Sequence, residues 1–569
     1  MVQKPLNNKT VIEKIQEMPP LAVSSGTMEW NNTGSWRYIR PVYENKVPPC
    51  NHNCPCGNDI IGFLSLIQEQ KFKEGWELIR RTNPFPGVCG RVCYHPCEKM
   101  CNRGHYDQPI AIRSLERFLA DSISDSDAIP PVDIPKRNEE VAVIGAGPSG
   151  LSCAYHLARN GYRVTIFEAK PEPGGLLRYG IPQYRLPKEV LDREIRQILS
   201  FGILLKVNQG LGIDFTWEDL QKFQSVFLSV GASGERRLEI SGENHSRVLS
   251  GIHFLSRVNA EQAPDIGPGV VVIGGGNTAI DVARASVRLG KKVTVAAIES
   301  EVEMPAHPEE IQDARAEGVR FLFGRLPTGI RDGDRTHLAL HCVPVRLGEP
   351  DARGWRPPIP LNGHIEIIDT DTIITAIGQE PDLSVVPDGC QIQFGKLIVD
   401  SNTLMARPGV FAGGDMVLGA PNTVSGSIGM GHTAAGAIHR YIQSQKPLMR
   451  TEPKITEFKD LNSDYFSHEE RVQIDYIAPI ERLKSFNEVE LGIAAQDAVQ
   501  ESKRCFQCGN CTQCDNCLIF CPDLAITRKN DGSGYDINYH HCKGCGICIE
   551  ECPRNALSIE KEVKWKYRT

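Results

Sequence analysis

The chain has twenty cysteines, most of them in two short blocks, and cysteine thiolates are the ligands that hold iron–sulfur clusters. Seven lie between Cys50 and Cys101 and ten between Cys505 and Cys552, whereas the 403 residues between the blocks hold three. A disulfide-stapled secreted protein would be small and would spread its cysteines along the chain. Dense blocks at both ends of a long chain therefore predict metal clusters.

The second block contains two copies of C-x2-C-x2-C-x3-C-P, the run that binds [4Fe-4S] clusters in bacterial ferredoxins. In two-cluster ferredoxins the fourth cysteine of each run ligates the cluster of the other run. One cluster is therefore predicted to use Cys511, Cys514, Cys517 and Cys552. The other is predicted to use Cys542, Cys545, Cys548 and Cys521. Cys505 and Cys508 continue the same spacing upstream, but the C-P ending fixes the first run at Cys511 to Cys521.

Two glycine-rich loops have the pattern that binds a dinucleotide pyrophosphate. The first, Gly145-Ala146-Gly147-Pro148-Ser149-Gly150, joins an apolar strand to a helix, and Glu168 ends the next strand 23 residues after Gly145. The helix N-terminus supplies amide donors to the phosphates, and the acid accepts hydrogen bonds from a ribose. The second copy, Gly274-Gly275-Gly276-Asn277-Thr278-Ala279, is followed after 25 residues by Glu299. Two such units predict two bound dinucleotides.

One nucleotide unit inserted in another is the arrangement of two-dinucleotide flavoproteins, with FAD on the first loop and a nicotinamide on the second. The stretch from Arg407 to Asp415 resembles the second FAD fingerprint of that superfamily, in which Gly414 and Asp415 approach the ribityl chain. From Thr423 a helix is predicted to point at the flavin and to stabilise negative charge there. The crossings between the two domains are expected at Gly231 and Gly378.

The choice of nicotinamide is predicted from the end of the strand after the second loop. In relatives that use NADPH, two arginines typically hold the 2′-phosphate where this chain has Ile298 and Glu299. A carboxylate accepts a hydrogen bond from a 2′-hydroxyl and repels a phosphate, which favours NAD(H) over NADP(H). Arg284 and Arg288 are an alternative source of positive charge for a phosphate.

The first cysteine block resembles the opening of the glutamate synthase small-subunit family, a module that also opens dihydropyrimidine dehydrogenase. The resemblance is carried by Cys50-x3-Cys54-Pro55, by Asn83-Pro84-Phe85-Pro86, by Cys89-x3-Cys93-x3-Cys97-x3-Cys101 and by Leu115-Glu116-Arg117. It extends over about residues 40 to 445 and includes segments on the flavin side of the family's fold, which implies cofactor contacts at Gly175, Leu176 and Arg185.

That family implies a helical N-terminal domain with two [4Fe-4S] clusters. One of them normally uses a CxxC pair upstream of Cys50, which this chain lacks, and we hypothesise that the C-terminal segment folds back to supply it. The first ligand set is then Cys50, Cys101, Cys505 and Cys508, and the second is Cys54, Cys93, Cys97 and Glu116. Alternatively, Cys505 and Cys508 are free thiols or the first cluster is lost. Cys56 and Cys89 have no assigned role.

The predicted fold class is multidomain. It consists of a helical iron–sulfur domain (1–135), an FAD domain in two parts (136–265 and 379–448), a nested Rossmann-like NAD(H) domain (266–378), a connector (449–500) and an α+β two-cluster ferredoxin domain (501–569). With these ligand sets, the two ends of the chain are predicted to meet at a shared cluster.

These features predict an electron-transfer flavoprotein in which FAD links NADH to four [4Fe-4S] clusters, with no acid–base residue needed for the hydride step. The favoured role is the NAD(H)-linked subunit of a larger, anaerobic oxidoreductase, with other subunits or a ferredoxin as partners. A self-standing ferredoxin or metal-ion reductase, a glutamate synthase small subunit and a cluster-bridging scaffold are the alternatives. A net charge of −7 without a basic run argues against nucleic-acid binding, and the absence of a long apolar stretch predicts a cytoplasmic protein with no membrane span.

Overall fold

The computed structural model describes residues 32–124, 134, 136–333, 337–351, 354–361, 363–448 and 452–562. The polar, proline-rich stretch from residue 125 to 140, before the first glycine loop, lies mostly outside these ranges. The described residues form two compact units: a smaller one within 32–46, 459–466 and 507–562, and a larger one within 47–458 and 467–506. The first described strand, β1 (Ile39–Tyr43), belongs to the smaller unit.

The larger unit begins with the helical domain that carries the first cysteine block. Its helices are α1 (Pro49–His52), α2 (Ile60–Gln68), α3 (Phe72–Ile79), α4 (Pro86–Val92), α5 (Pro96–Lys99) and α6 (Ile112–Asp121). Helices α2 and α3 are separated at Gln70, which has a positive φ of 58°. Phe63, Trp76 and Leu115 pack into the core of this domain and are at most 2% exposed.

The first glycine loop lies in a parallel α/β domain. Its elements up to the first crossing are β2 (Glu140–Ile144), α7 (Pro148–Arg159), β3 (Arg163–Phe167), α8 (Leu176–Tyr179), α9 (Lys188–Leu199), β4 (Leu204–Lys206) and β5 (Ser225–Leu228). Strand β2 pairs in parallel with β3 and β5. Its apolar run is buried on both faces of the sheet, which is typical of a parallel strand covered by helices.

The second glycine loop lies in the inserted domain. Its elements are β6 (Gly234–Glu235), β7 (Val248–Ser250), α10 (Gly251–Asn259), β8 (Gly269–Ile273), α11 (Asn277–Arg288), β9 (Lys292–Ala296), α12 (Pro308–Ala316), β10 (Arg320–Leu322), β11 (Arg325–Asp332), β12 (Leu338–Leu347), β13 (Pro358–Pro360), β14 (Glu366–Thr370) and β15 (Thr372–Thr375). A parallel sheet has the order β10-β9-β8-β15-β7. Strands β11 to β14 form a separate antiparallel sheet that the sequence pattern did not predict.

The inserted domain begins earlier than the predicted residue 266. Strand β7 pairs in parallel with β15, and Phe254 and Leu255 of α10 are buried with the core of the inserted sheet. Strand β7 has three residues, too few to show a periodic pattern in the sequence. The sheet to which it belongs therefore becomes clear only from its long-range pairing with β15.

The chain then returns to the first sheet through β16 (Gln379–Glu380), β17 (Ile392–Gln393), β18 (Lys396–Leu397), β19 (Met405–Arg407), β20 (Val410–Ala412) and α13 (Val424–Ile442). The completed sheet has the order β19-β20-β5-β2-β3-β4. Strands β6 and β16 pair antiparallel at the crossings between the two domains. Helix α13 packs closely along α7, where a Cβ on Gly431 would lie 2.2 Å from the carbonyl oxygen of Ser149.

The part of the chain from residue 467 to 506, which includes most of the predicted connector, packs on the helical domain. It contains β21 (Asp475–Tyr476), α14 (Pro479–Arg482), β22 (Glu490–Gly492) and α15 (Ala495–Lys503). Glu488 bonds Arg91 at 2.7 Å, and Glu490 bonds Arg113 at 2.9 Å. Ala498 of α15 is fully buried in the helical core.

The smaller unit contains the second cysteine block. Its remaining elements are α16 (Asn516–Ile519), β23 (Ile526–Arg528), β24 (Tyr535–Ile537), α17 (Ile547–Glu550) and β25 (Leu557–Lys561). Strand β1 pairs antiparallel with β25, so residues 32–46, which were predicted to lie in the helical domain, instead complete this unit. No helix in the described part of the chain has the length and apolar character needed to cross a membrane.

Candidate functional site

The first glycine loop leaves open space where a dinucleotide would approach. Gly145 has a φ of 101°, and a Cβ on Gly150 would lie 2.0 Å from the Gly145 carbonyl oxygen, so both positions require glycine. A Cβ on Gly147 would meet nothing within 4 Å, apart from atoms of its chain neighbours. Gly175 packs on this loop, because a Cβ added to Gly175 would lie 2.9 Å from Gly147 Cα.

Buried polar atoms around this loop lack partners and therefore fit a bound group. Among the described residues, Ser149 Oγ and Asp415 Oδ1 are buried without a hydrogen bond, and burial raises the pKa of Asp415. A buried polar atom without a hydrogen-bond partner destabilises the folded protein. Hydrogen bonds to the hydroxyl and phosphate groups of a bound dinucleotide would offset this cost. Glu168 accepts hydrogen bonds from the Ala146 and Lys170 amides at 2.7 and 2.8 Å, which places its carboxylate at the loop.

The other residues predicted for the first dinucleotide lie around the same loop or at the crossings. Pro148 opens α7, Leu176 opens α8, and the Thr423 hydroxyl caps α13 by accepting from the Gly426 amide at 3.1 Å. Gly414 has a φ of 76° and lies beside Ser149, and Gly231 and Gly378 have φ values of 70° and 116° at the crossings.

Arg185 differs from its predicted role as a direct cofactor contact. Its guanidinium bonds Asp281 of α11 at 2.8 Å and Glu310 of α12 at 3.0 Å. Both carboxylates belong to the inserted domain, so this buried arginine ties the two nucleotide domains together. The sequence alone does not show with which carboxylate this arginine forms an ion pair.

The second glycine loop also leaves space for a dinucleotide, and the carboxylate of Glu299 lies next to this loop. Gly274 has a φ of 137°, and a Cβ on Gly276 would meet nothing within 4 Å, apart from atoms of its chain neighbours. Glu299 Oε2 lies 2.5 Å from the Cβ position of Gly275 and is buried without a hydrogen-bond partner in the described part of the chain. Burial and the nearby Glu303 raise the pKa of Glu299. This carboxylate fits a ribose hydroxyl as its missing partner.

Three other predicted residues of this loop form the start of α11. Asn277 Oδ1 accepts a hydrogen bond from the His307 amide at 2.8 Å, which holds the loop to the segment before α12. Ala279 is fully buried and packs under Gly274, so it provides close packing rather than a polar contact. Thr278 precedes it in the first turn of α11.

Arg284 and Arg288, considered as an alternative phosphate site, are committed to carboxylates. Each bonds the fully buried side chain of Glu317 at 2.7 Å, and Arg284 also bonds Asp313 at 3.1 Å. Burial alone would raise the pKa of Glu317, but the hydrogen bonds from the two arginines outweigh it and lower that pKa to about 2. These arginines therefore stabilise the inserted domain from inside.

The second N-terminal ligand set lines a single pocket in the helical domain. Cys54, Cys93, Cys97 and Glu116 all lie on this pocket, whose empty volume is about 370 Å³. Glu116 Oε1 accepts hydrogen bonds from the amides of Asn83 at 2.9 Å and Asn58 at 3.2 Å, and burial raises the pKa of this carboxyl. Four ligating side chains around one space fit a [4Fe-4S] cluster, in which each ligand binds a different iron.

Two cysteines and a serine to which sequence reasoning gave no role also line this pocket. Cys56 and Cys89 are 2% and 1% exposed and line the pocket beside the predicted ligands. Ser425, in the first turn of α13, lies with its Oγ 3.5 Å from Cys93 Sγ. The run of small residues after Thr423 was the available signal, since it permits a close approach to α13.

The first N-terminal ligand set is described in part. Cys50, Cys101 and Cys505 all pack on the core of the helical domain. Arg504, 1% exposed, anchors Cys505 there through Glu501 at 2.7 Å and Asp107 at 3.0 Å. Cys508 belongs to the smaller unit, whose last segment begins at residue 507, and its place in this ligand set stays a prediction.

In the smaller unit the crossed ligand pattern brings the cysteines of the two runs together. Cys521, Cys542, Cys545 and Cys548 line one pocket with an empty volume of about 330 Å³. Cys511, Cys514 and Cys552 lie close enough to Cys517 to raise its pKa, after the larger effect of burial. Within the described ranges, no three His, Cys, Asp or Glu side chains converge on a single metal ion.

Three family models match the chain in the order of its domains. The pyridine nucleotide-disulphide oxidoreductase model matches residues 139–434. A model described as dihydropyrimidine dehydrogenase domain II, 4Fe-4S cluster, matches residues 42–128, and a 4Fe-4S dicluster domain matches residues 510–556. The predicted classes of cofactor, FAD with a nicotinamide and [4Fe-4S] clusters, are confirmed at this level.

Relatives are similar over most of the chain. The beta subunit of an NADP(+)-dependent formate dehydrogenase from Moorella thermoacetica is 37% identical over 500 residues, covering 81% of this chain and 70% of that protein. The beta subunit of an NADPH-Fe(3+) oxidoreductase from Geobacter sulfurreducens is 38% identical, with coverages of 81% and 75%. The small chain of glutamate synthase [NADPH] from Escherichia coli is 34% identical, with coverages of 70% and 89%. The predicted resemblance to the glutamate synthase small chain is confirmed, whereas the names of these relatives do not support the predicted preference for NAD(H).

Proposed function

Because this chain belongs to the pyridine nucleotide-disulphide oxidoreductase family and is an NAD(P)H-dependent oxidoreductase, we propose that it is the NAD(H)-linked electron-transfer subunit of a larger complex. Two relatives are named as beta subunits, which supports a complex with other subunits as the working form. FAD, when bound, supplies the chemistry that accepts a hydride and releases electrons one at a time. The chain's residues bind, orient and connect the redox groups.

One observation carries the proposal: the N-terminal cluster pocket reaches the first turn of α13, the helix predicted to face the flavin. Ser425 of that turn lines the pocket, and a Cβ on Gly429 one turn later would lie 1.8 Å from the Pro55 carbonyl oxygen. The cysteine-bearing loop and the helix are therefore in van der Waals contact. Such contact supports the N-terminal cluster as the group that exchanges electrons with the FAD domain.

Within this proposal the nicotinamide is NAD(H). The Glu299 carboxylate against the second loop supports this choice, because it suits a 2′-hydroxyl and repels a 2′-phosphate. Arg315 and Arg356 lie nearby, but they bond Glu301 at 2.8 Å and Glu303 at 2.6 Å. These two arginines are half-exposed, and they provide the observation that favours NADP(H) as the second candidate, in line with the names of the relatives.

The test uses the full chain purified without oxygen, together with any subunits that accompany it. Addition of NADH is expected to bleach the flavin absorbance and to produce [4Fe-4S] electron paramagnetic resonance (EPR) signals. A cluster-bridging scaffold would show neither change. Rapid reduction of added ferredoxin or Fe³⁺ by the chain alone would favour the self-standing reductase and contradict the role as a subunit.

A further inference from the structure

Ser425 contacts two cysteines of the N-terminal cluster pocket. Its Oγ lies 3.5 Å from Cys93 Sγ, and its carbonyl oxygen accepts a hydrogen bond from the Cys56 thiol at 3.4 Å. The residue is 4% exposed and forms part of the pocket wall with Cys54 and Glu116. It thus joins the pocket to a helix of the FAD domain.

The direction of the first hydrogen bond follows from the chemistry of a cluster ligand. A cysteine that binds iron is a thiolate, so it carries no proton and can only accept. The serine hydroxyl carries one donor and is free to rotate toward an acceptor. When Cys93 holds iron, a hydrogen bond between these two side chains is therefore donated by the Ser425 hydroxyl to the sulfur.

The surrounding backbone holds Ser425 in this position. The Thr423 cap fixes the start of α13, and the contact between Gly429 and Pro55 fixes the helix against the cysteine loop. Helix α13 is 19 residues long, and its positive end lies on the same side as the hydroxyl. A donor held in place at a ligand sulfur is one of the features that set a cluster's reduction potential.

We propose that Ser425 is a positioning residue that raises the reduction potential of the cluster held by Cys54, Cys93, Cys97 and Glu116. A donated hydrogen bond stabilises the reduced cluster more than the oxidised one, because reduction adds negative charge to the sulfurs. The helix predicted to face the flavin would then also determine how readily the adjacent cluster takes an electron. This inference rests on the proposed function, since it requires that cluster to be present.

The experiment is a redox titration of the full-length protein, purified without oxygen and followed by EPR. The signal that disappears in Cys93→Ala identifies the cluster. Ser425→Ala is expected to move the midpoint potential of that signal to a more negative value, and Ser425→Thr, which keeps the hydroxyl, is expected to restore it. Ser152→Ala is the matched control, because Ser152 is a buried serine whose hydroxyl bonds the Ile428 carbonyl of the same helix at 2.8 Å.

An unchanged potential in Ser425→Ala, with the signal present, would overturn the inference and leave the proposed function standing. Equal shifts in Ser425→Ala and Ser152→Ala would overturn it as well, since they would point to helix packing. Loss of the cluster in both Ser425 variants would show that the residue is only structural. Absence of the Cys93-dependent signal from the unmodified protein would instead refute the proposed function.

Discussion

The α-carbon of Gly429 in α13 lies directly against the carbonyl of Pro55, which stands between Cys54 and Cys56. A Cβ added to Gly429 would lie 1.8 Å from the Pro55 oxygen, so even alanine cannot be accommodated without moving the loop. The contact joins the FAD domain to the cysteine loop of the helical domain.

Gly429→Ala is therefore expected to displace this loop and to weaken the N-terminal cluster while leaving the first dinucleotide loop in place. Iron content should fall by about four atoms per chain, the content of one [4Fe-4S] cluster, with flavin content unchanged. Gly436→Ala is the matched control, because a Cβ on that helical glycine meets nothing within 4 Å, leaving aside the backbone of its own helix and its chain neighbours. Equal iron in the two variants would contradict the importance of the contact.

Glu299 is expected to decide the choice of nicotinamide. Steady-state kinetics with the natural protein should give a higher kcat/KM for NADH than for NADPH. Glu299→Ala should lower kcat/KM for NADH by about tenfold or more, since hydrogen bonds to charged groups contribute about 1.5–3 kcal/mol. Glu301→Ala, an exposed acid paired with Arg315, is the control and should change little. A preference of the natural protein for NADPH would refute the assignment.

Glu317 is expected to be essential for the stability of the inserted domain. Glu317→Ala leaves Arg284 and Arg288 buried without their shared carboxylate, a change that costs about 3–5 kcal/mol when a buried pair is broken. Thermal unfolding should show a lower midpoint, and Glu481→Ala, which breaks an exposed pair with Lys484, should show almost none of this effect. Because the folded-state pKa of Glu317 is about 2 and lies below its unfolded value, this stabilisation is fully present above about pH 4.5 and is lost as pH falls toward 2.

In the smaller unit, the fourth cysteine of each run is predicted to ligate the cluster of the other run. The iron content of cysteine variants is expected to reveal this arrangement. Cys521→Ala and Cys545→Ala should each remove about four iron atoms, and the double variant should remove no more than either single one. Cys521→Ala combined with Cys517→Ala should remove about eight. Cys390→Ala, outside both blocks, serves as the control. A loss of about four iron atoms in that second double variant would show that each run holds its own cluster.

The glycine loops and the two C-terminal cysteine runs could be predicted because their signals are local. A strand, a tight glycine turn and a helix follow one another within about twenty residues, and the C-P ending marks the register of a cysteine run. The acids Glu168 and Glu299 stand at the loops as predicted from their distance along the chain.

The missed features all depend on partners far apart in sequence. Strand β1 pairs with β25 more than 500 residues later, and neither strand identifies its partner by composition. Glu488 and Glu490 have the pattern of solvated charges, yet they meet arginines of the helical domain. Arg185 was predicted to contact the cofactor because its segment is family-like, whereas its partners are acids of the inserted domain.

The most direct test of the account is whether electrons from NADH must pass the cluster that contains Cys93. Stopped-flow absorbance of the oxygen-free full chain should show flavin bleaching by NADH, followed by reduction of an artificial one-electron dye, which stands in for the partner subunit as acceptor. Cys93→Ala should retain the bleaching and lose the delivery to the acceptor, whereas Cys153→Ala, which removes a buried thiol in α7, should retain both. Delivery at the natural rate in Cys93→Ala would contradict the account.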